Sequence, residues 1–181
     1  RGSGKLVQFG QKFPYQLVEV GIAEQNLVGI SAGLASTGKK VFAVSPACFL
    51  TARSFEQIKN DVAYSDNPVK LIGISAGVSY GALGTTHHSL HDFAALRAVN
   101  NMTVLAPADN FETEMAIRLA AETSSPFYIR LGKKPMPFLT EEKDFAIGKG
   151  RIIREGKELV IISTGETVYP ALLAAELLEA E

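Results

Sequence analysis

Short apolar runs alternate with helical patterns along the chain. Residues 41–44, 69–75, 103–106, 127–131 and 159–163 are each too short for a helix, rich in Val, Ile or Phe, and bounded by turn residues, which predicts strands. Between and around them, the spacing of apolar positions predicts helices over 24–37, 51–64, 89–99, 109–123 and 169–181. Asp109 is placed to cap the fourth of these, with Glu112 three residues on completing a capping-box start. Strands that are mostly apolar and alternate with helices imply an α/β class, a parallel sheet sandwiched by helices on both faces.

Residues 132–150 break this rhythm. They hold Pro135, Pro137, three glycines and the charged run Glu141-Glu142-Lys143-Asp144, the composition of a surface linker. The reading is therefore a first domain over 1–131, a linker over 132–150, and the start of a second α/β domain over 151–181. Arg1 is no initiator and Glu181 stops inside an apolar-periodic helix, so the chain is expected to be a piece of something longer.

Composition narrows the classes. With 18 basic and 19 acidic side chains there is no electrostatic reason to expect nucleic acid or an anionic membrane as partner. Lone Cys48 excludes an internal disulfide framework and fits a reducing, cytoplasmic compartment. No apolar stretch approaches the ~20 residues of a bilayer span. A charged fraction of only 20% suggests more buried surface than a lone domain needs, hence an oligomer.

Four places carry candidate chemistry. Glu24 opens a helix of small and apolar residues in which Gly29 and Gly33, one turn apart, suggest a close backbone approach. It is either an acid favoured by the helix N-terminus or a carboxylate held at an apolar boundary between subunits, where burial lets it share a proton. Phe49 and Arg53 follow the strand ending near Val44, in the zone outside the carboxyl ends of parallel strands where ligands bind; the alternatives are core for Phe49 and a surface charge for Arg53. The loop from Gly81 to Asp92 holds all three histidines, His87, His88 and His91. It reads first as a catalytic or substrate-binding loop and second as a zinc site, with Asp92 a ligand or an orienting carboxylate. Arg130 ends an apolar strand in the same zone, where it could pair bidentately with a phosphate or form a linker salt bridge. Neither a phosphate-cradling P-loop nor a Gly-x-Ser-x-Gly elbow is present.

In this order the segments 21–26 (Gly-Ile-Ala-Glu-Gln-Asn), 49–58 (Phe-Leu-Thr-Ala-Arg-Ser-Phe-Glu-Gln-Ile) and 86–88 (Thr-His-His) resemble the pyrimidine-binding domain of the transketolase family of thiamine-diphosphate enzymes, closest to the C-terminal subunit of split bacterial transketolases. The resemblance covers essentially the whole chain, the second unit resembling the start of the family's C-terminal domain. It implies ketol transfer between sugar phosphates, with Glu24 bonding N1′ of the cofactor's aminopyrimidine and promoting its imino tautomer. It also implies that Phe49 stacks on the pyrimidine with Arg53 nearby, that His87 contacts the reacting oxygen, and that Arg130 holds the substrate's phosphate; Asp92 joins His87 and Arg130 as a substrate-binding candidate on its own residue reading. No residue of this chain is expected to bind metal.

Departures from the family pattern bear on the donor sugar. The family usually has an aspartate four residues before the loop histidine, where this chain has Leu83; one-chain transketolases have a histidine twelve before it, where this chain has Ser75. An unusual, branched or modified ketose donor is the expectation. No Gly-Asp-Gly with a downstream Asn appears, so the resemblance implies that the diphosphate, with Mg2+ or Ca2+ held through oxygens, is bound by a separate diphosphate-binding subunit or by a lost segment. It further implies a homodimer through the pyrimidine domain, giving a heterotetramer. A deoxyxylulose-phosphate-synthase-like enzyme, a non-catalytic assembly or regulatory module with this fold, and a zinc-dependent hydrolase are the alternatives.

Overall fold

The structure, a computed structural model, describes residues 2, 4–139 and 145–179. Its centre is a parallel four-stranded sheet, β1 (Phe42–Pro46), β2 (Lys70–Ile74), β3 (Thr103–Leu105) and β4 (Phe127–Arg130), in the order β1-β2-β4-β3. Lys70 aligns with Phe42 on one side and Phe127 on the other, so the strands end together along one edge. The helices are α1 (Val7–Lys12), α2 (Glu24–Ser36), α3 (Ala47–Arg53), a single turn α4 (Phe55–Gln57) running into a π-helical stretch (Ile58–Tyr64), α5 (Asp92–Arg97), α6 (Asn110–Glu122) and α7 (Val168–Glu179).

Alternation along the strands feeds two cores. Ala43, Leu71 and Tyr128 pack on one face with Val28, Ala32, Leu50, Ile58 and Leu96; Ile72, Phe127 and Ile129 pack on the other with Ala116 and Ala120 of α6. Both sheet faces are covered, which is why the strands read as apolar runs rather than as strict alternation. Each fully buried Leu or Ile contributes about 2 kcal/mol of transfer free energy.

The capping of α6 matches expectation. Asp109 Oδ1 accepts from Glu112 N at 2.8 Å, and Glu112 Oε2 accepts from Ala108 N at 2.8 Å. Other boundaries move for local reasons. Helix α3 starts at Ala47, directly after Pro46, so Phe49 lies in its first turn rather than ahead of the helix. The expected helix 51–64 is broken at Ser54, whose hydroxyl bonds back to Leu50 O at 2.6 Å, a bond that bends helices, before the chain relaxes into the π stretch.

Residues 89–99 do not form one helix. Ser89 and Gly77 exchange backbone hydrogen bonds of 2.8 and 3.1 Å in an antiparallel bridge, which holds Ser89 extended and delays α5 to Asp92. Residues 159–163 form no strand either: Val160 and Ile162 are exposed, and a strand without a paired neighbour leaves its backbone groups unsatisfied. In the expected linker, Phe145 packs against the second core, whereas the charged run 141–144 lies outside the described residues. Helix α1 and the turn Pro14–Gln16 had no counterpart in the hydrophobic pattern.

Candidate functional site

The buried residues of α2 are Glu24, Val28, Ser31, Ala32 and Ala35, a single stripe at helical spacing. Glu24 is the first residue of that stripe, so the same face that docks the helix carries its carboxylate inward to 6% exposure. Ser45, near the end of β1, donates to Glu24 Oε1 at 3.4 Å, and Arg53, ending α3, donates to Glu24 Oε2 at 3.0 Å. The Arg53 guanidinium also lies 4.1 Å from the ring centroid of Phe49. A carboxylate and an aromatic face are thus bridged by one flat, N–H-bearing group whose own side chain is 48% exposed.

His87 meets this platform edge-on. Its ring centroid is 5.2 Å from Phe49 and 5.3 Å from Tyr80, and its Nδ1 shares a hydrogen bond with Thr86 Oγ1 at 3.0 Å. Lys133 Nζ stands 4.8 Å over the ring of Tyr80. An open cavity of about 660 Å3 separates α3 from the histidine segment, with Cys48, Phe49, Arg53, Thr86, His88 and His91 on its wall. Burial raises the Cys48 thiol above its ordinary pKa, so it behaves as an inert wall group rather than a thiolate.

The remaining histidines turn elsewhere. His88 Nε2 donates to the carbonyl of Gly81 at 3.0 Å. Thr51 Oγ1 spends its single proton on Ala47 O, so at 3.1 Å it accepts from His91 Nε2. Because α5 begins only at Asp92, no two histidines share a helix face, contrary to the geometry a zinc site would need. Among the described residues no group of three His, Cys, Asp or Glu side chains converges on one point.

Asp92 and Arg130 are brought together, but not as two open ligands. Asp92 is fully buried; its Oδ2 accepts from Arg130 Nε and from the Tyr128 hydroxyl, both at 2.8 Å, and its Oδ1 accepts from Phe93 N at 3.0 Å. That arrangement is the orienting one, since the carboxylate faces Arg130 and not the solvent. Arg130 Nη2 donates to Ser89 O at 3.4 Å, and its guanidinium lies 4.6 Å from the Phe93 ring. Burial, then the Asp92 carboxylate, push the Tyr128 hydroxyl far above its ordinary pKa, so it stays a proton donor.

Leu83 and Ser75, singled out in the sequence, flank the site differently. Leu83 is exposed on a short turn, whereas Ser75 is buried with φ +53°, a left-handed conformation that lets the chain leave β2 for the loop. Sequence reasoning missed Ser45, Tyr80 and Tyr128. A tyrosine inside an apolar strand does carry a signal, because its hydroxyl must find a partner when buried.

The model of the transketolase pyrimidine-binding domain matches residues 1–137, and that of the transketolase C-terminal domain matches residues 148–181. Over 98% of its length the chain is 50% identical to an apulose-4-phosphate transketolase subunit of Phocaeicola vulgatus, covering 58% of that protein. It is 42% identical to the "Putative transketolase C-terminal section" of Methanocaldococcus jannaschii, again over 98% of this chain and 57% of the relative. The solved structure "Split gene transketolase, inactive beta4 tetramer" superposes with a TM-score of 0.85 at 38% identity, covering 99% of this chain and 58% of that one. The chain thus spans somewhat over half the length of these relatives. With a buried glutamate, an aromatic platform and a histidine loop at the carboxyl edge of a parallel sheet, and with these matches along nearly all of its length, the chain belongs to the transketolase family.

Proposed function

We propose that this chain is the pyrimidine-binding part of a thiamine-diphosphate-dependent transketolase, a transferase that moves a two-carbon ketol unit between sugar phosphates. The observation that carries this reading is the Glu24–Arg53–Phe49 cluster. A planar guanidinium there hydrogen-bonds the carboxylate and stacks on the phenylalanine at once. An aminopyrimidine is likewise flat and nitrogen-bearing, so the residues fit the group that the family implies. Arg53 is half exposed and can swing aside to admit such a ring.

Bound thiamine diphosphate supplies the nucleophilic thiazolium carbon of ketol transfer. The chain's own residues supply the setting. Glu24, shielded from water by α2 and Ser45, holds a proton at the pyrimidine N1′, where a dry carboxylate is a stronger partner than a solvated one. Phe49 orients the ring, and Arg53 balances the Glu24 charge when no ring is present. His87, held between Phe49 and Tyr80, would contact the reacting oxygen of the substrate and exchange a proton with it. Arg130 binds the substrate's phosphate.

Support for a second protein component comes from several directions. The 181 residues hold no Gly-Asp-Gly segment, so the diphosphate and its Mg2+ or Ca2+ would be held outside them. By its name the Phocaeicola relative is one subunit of an enzyme, and the superposed structure is an inactive tetramer of a split transketolase. Gly29 and Gly33 have nothing within 4 Å of where a Cβ would stand, so this face of α2 has room for a neighbouring chain to approach closely. We assign the contact across α2 to a homodimer and the missing diphosphate site to a separate subunit. Exposed, apolar Leu83 favours a donor other than ordinary pentose phosphates, and the name of the Phocaeicola relative makes apulose 4-phosphate the first substrate to try.

Reconstitution tests the proposal. Mixed with a diphosphate-binding transketolase subunit, thiamine diphosphate and Mg2+, the chain is expected to transfer a ketol unit from a ketose phosphate to an aldose phosphate, and neither protein should do so alone. Cofactor binding without turnover of any ketose phosphate would contradict it and favour a non-catalytic module.

A further inference from the structure

Arg130 is held from behind by the buried Asp92 and Ser89 and by the half-buried Phe93. Its Nε is bonded to Asp92, its Nη2 to the Ser89 carbonyl, and its planar face lies on Phe93, which leaves Nη1 without a partner among the described residues. The Asp92 oxygen that accepts from Arg130 also accepts from the Tyr128 hydroxyl. Tyr128 sits two residues before Arg130 on β4, so both side chains leave the same face of the strand. Its ring reaches Asp92 by lying across Gly73 of β2, where a Cβ would overlap the tyrosine ring and hydroxyl.

We infer that Tyr128 and Asp92 are positioning residues that fix the Arg130 guanidinium for a phosphate-like anion, and that Gly73 is small so that Tyr128 can do so. An arginine on a flexible stem loses rotamer entropy each time it grips an anion. Here two buried hydrogen-bonded groups have removed that freedom beforehand. Asp92 is a charge without solvent, so it must keep a cation at a fixed place, and the Tyr128 proton fills the lone pair that would otherwise compete for a second orientation of Arg130.

The inference rests on Arg130 as the anion contact, and one titration separates the two claims. The 15N-labelled full chain is titrated with inorganic phosphate while the Arg130 Nε–Hε resonance is followed. In the parent chain that resonance should shift saturably. In Tyr128→Phe the phosphate affinity should fall about tenfold, the loss of one hydrogen bond to a charged group, with thermal stability measured alongside. Gly73→Ala retains all three side chains but pushes the Tyr128 ring and hydroxyl away from Asp92, and should weaken binding in the same way. Equal phosphate affinity in the parent and both variants would overturn the positioning role while leaving the anion site standing. An Arg130 resonance that ignores phosphate in the parent chain would overturn the anion site and this inference with it.

Discussion

Arg53 Nη1 donates to Glu24 Oε2 across 3.0 Å, tying the end of α3 to the first residue of α2. One partner is nearly buried and the other half exposed, so the pair sits where protein meets open cavity. Its worth lies less in net attraction, which solvent at Arg53 reduces, than in keeping a buried carboxylate from standing alone. Arg53→Ala should therefore destabilise the fold by about 1 kcal/mol, and by much less when Glu24 is already Gln. Urea unfolding of the two single variants and the double variant measures the coupling; additive effects would show that the pair is incidental.

Lys70 gives a pH dependence at the opposite end of the sheet. Its ammonium is buried, lies 5.0 Å over Phe127, and donates to the carbonyls of Thr123 and Ser125 beyond α6. Burial lowers its pKa from 10.5 to about 8. Between those values the unfolded chain binds more protons than the folded one, so stability rises with pH across that window, by up to about 3 kcal/mol, and the contribution is flat below it. Denaturation of the parent chain and Lys70→Met from pH 7 to 10 isolates this slope. A difference between them that does not change with pH would contradict it.

The histidine segment yields a prediction about metal. With His88 and His91 bonded to Gly81 and Thr51, and His87 between aromatic rings, the three side chains are spent on separate partners. Purified chain should contain no stoichiometric zinc, and chelator should leave its thermal midpoint unchanged. One tightly held zinc per chain would overturn this reading and revive the hydrolase alternative.

Ser79 Oγ, whose single proton is shared between Ala76 O at 2.6 Å and the carboxylate of Glu166 at 3.2 and 3.3 Å, links the second unit, just ahead of α7, to the loop that follows β2. A Cβ at Gly132 would overlap the Glu166 carboxylate. Gly132→Ala should expel Glu166 and cost about 1–2 kcal/mol, the loss of a partly buried hydrogen-bonded contact. Protection of the Ser79 and Glu166 amides from hydrogen exchange should fall together; unchanged protection would contradict the coupling.

The sheet and its flanking helices were legible because apolar runs and 3.6-residue stripes follow burial directly, and both cores formed where those patterns predicted. What escaped depended on partners distant in sequence. The delayed start of α5 comes from a bridge between Ser89 and Gly77, twelve residues apart, and no local propensity announces it. The segment 159–163 has strand composition but no neighbouring strand to pair with. Of the candidate site, Glu24, Phe49, His87 and Arg130 were singled out from residue type, position along their elements and the family resemblance. Tyr128 was absorbed into an apolar run, and the inward turn of Asp92 toward Arg130 depends on three elements meeting.

The most direct measurement is ketol transfer by the reconstituted enzyme carrying Glu24→Gln. Glutamine keeps the size and one acceptor oxygen but cannot share a proton, so the variant should fold and bind thiamine diphosphate while losing about 10²- to 10⁴-fold in turnover. Turnover equal to that of the parent enzyme would show that the buried carboxylate plays no part in the chemistry.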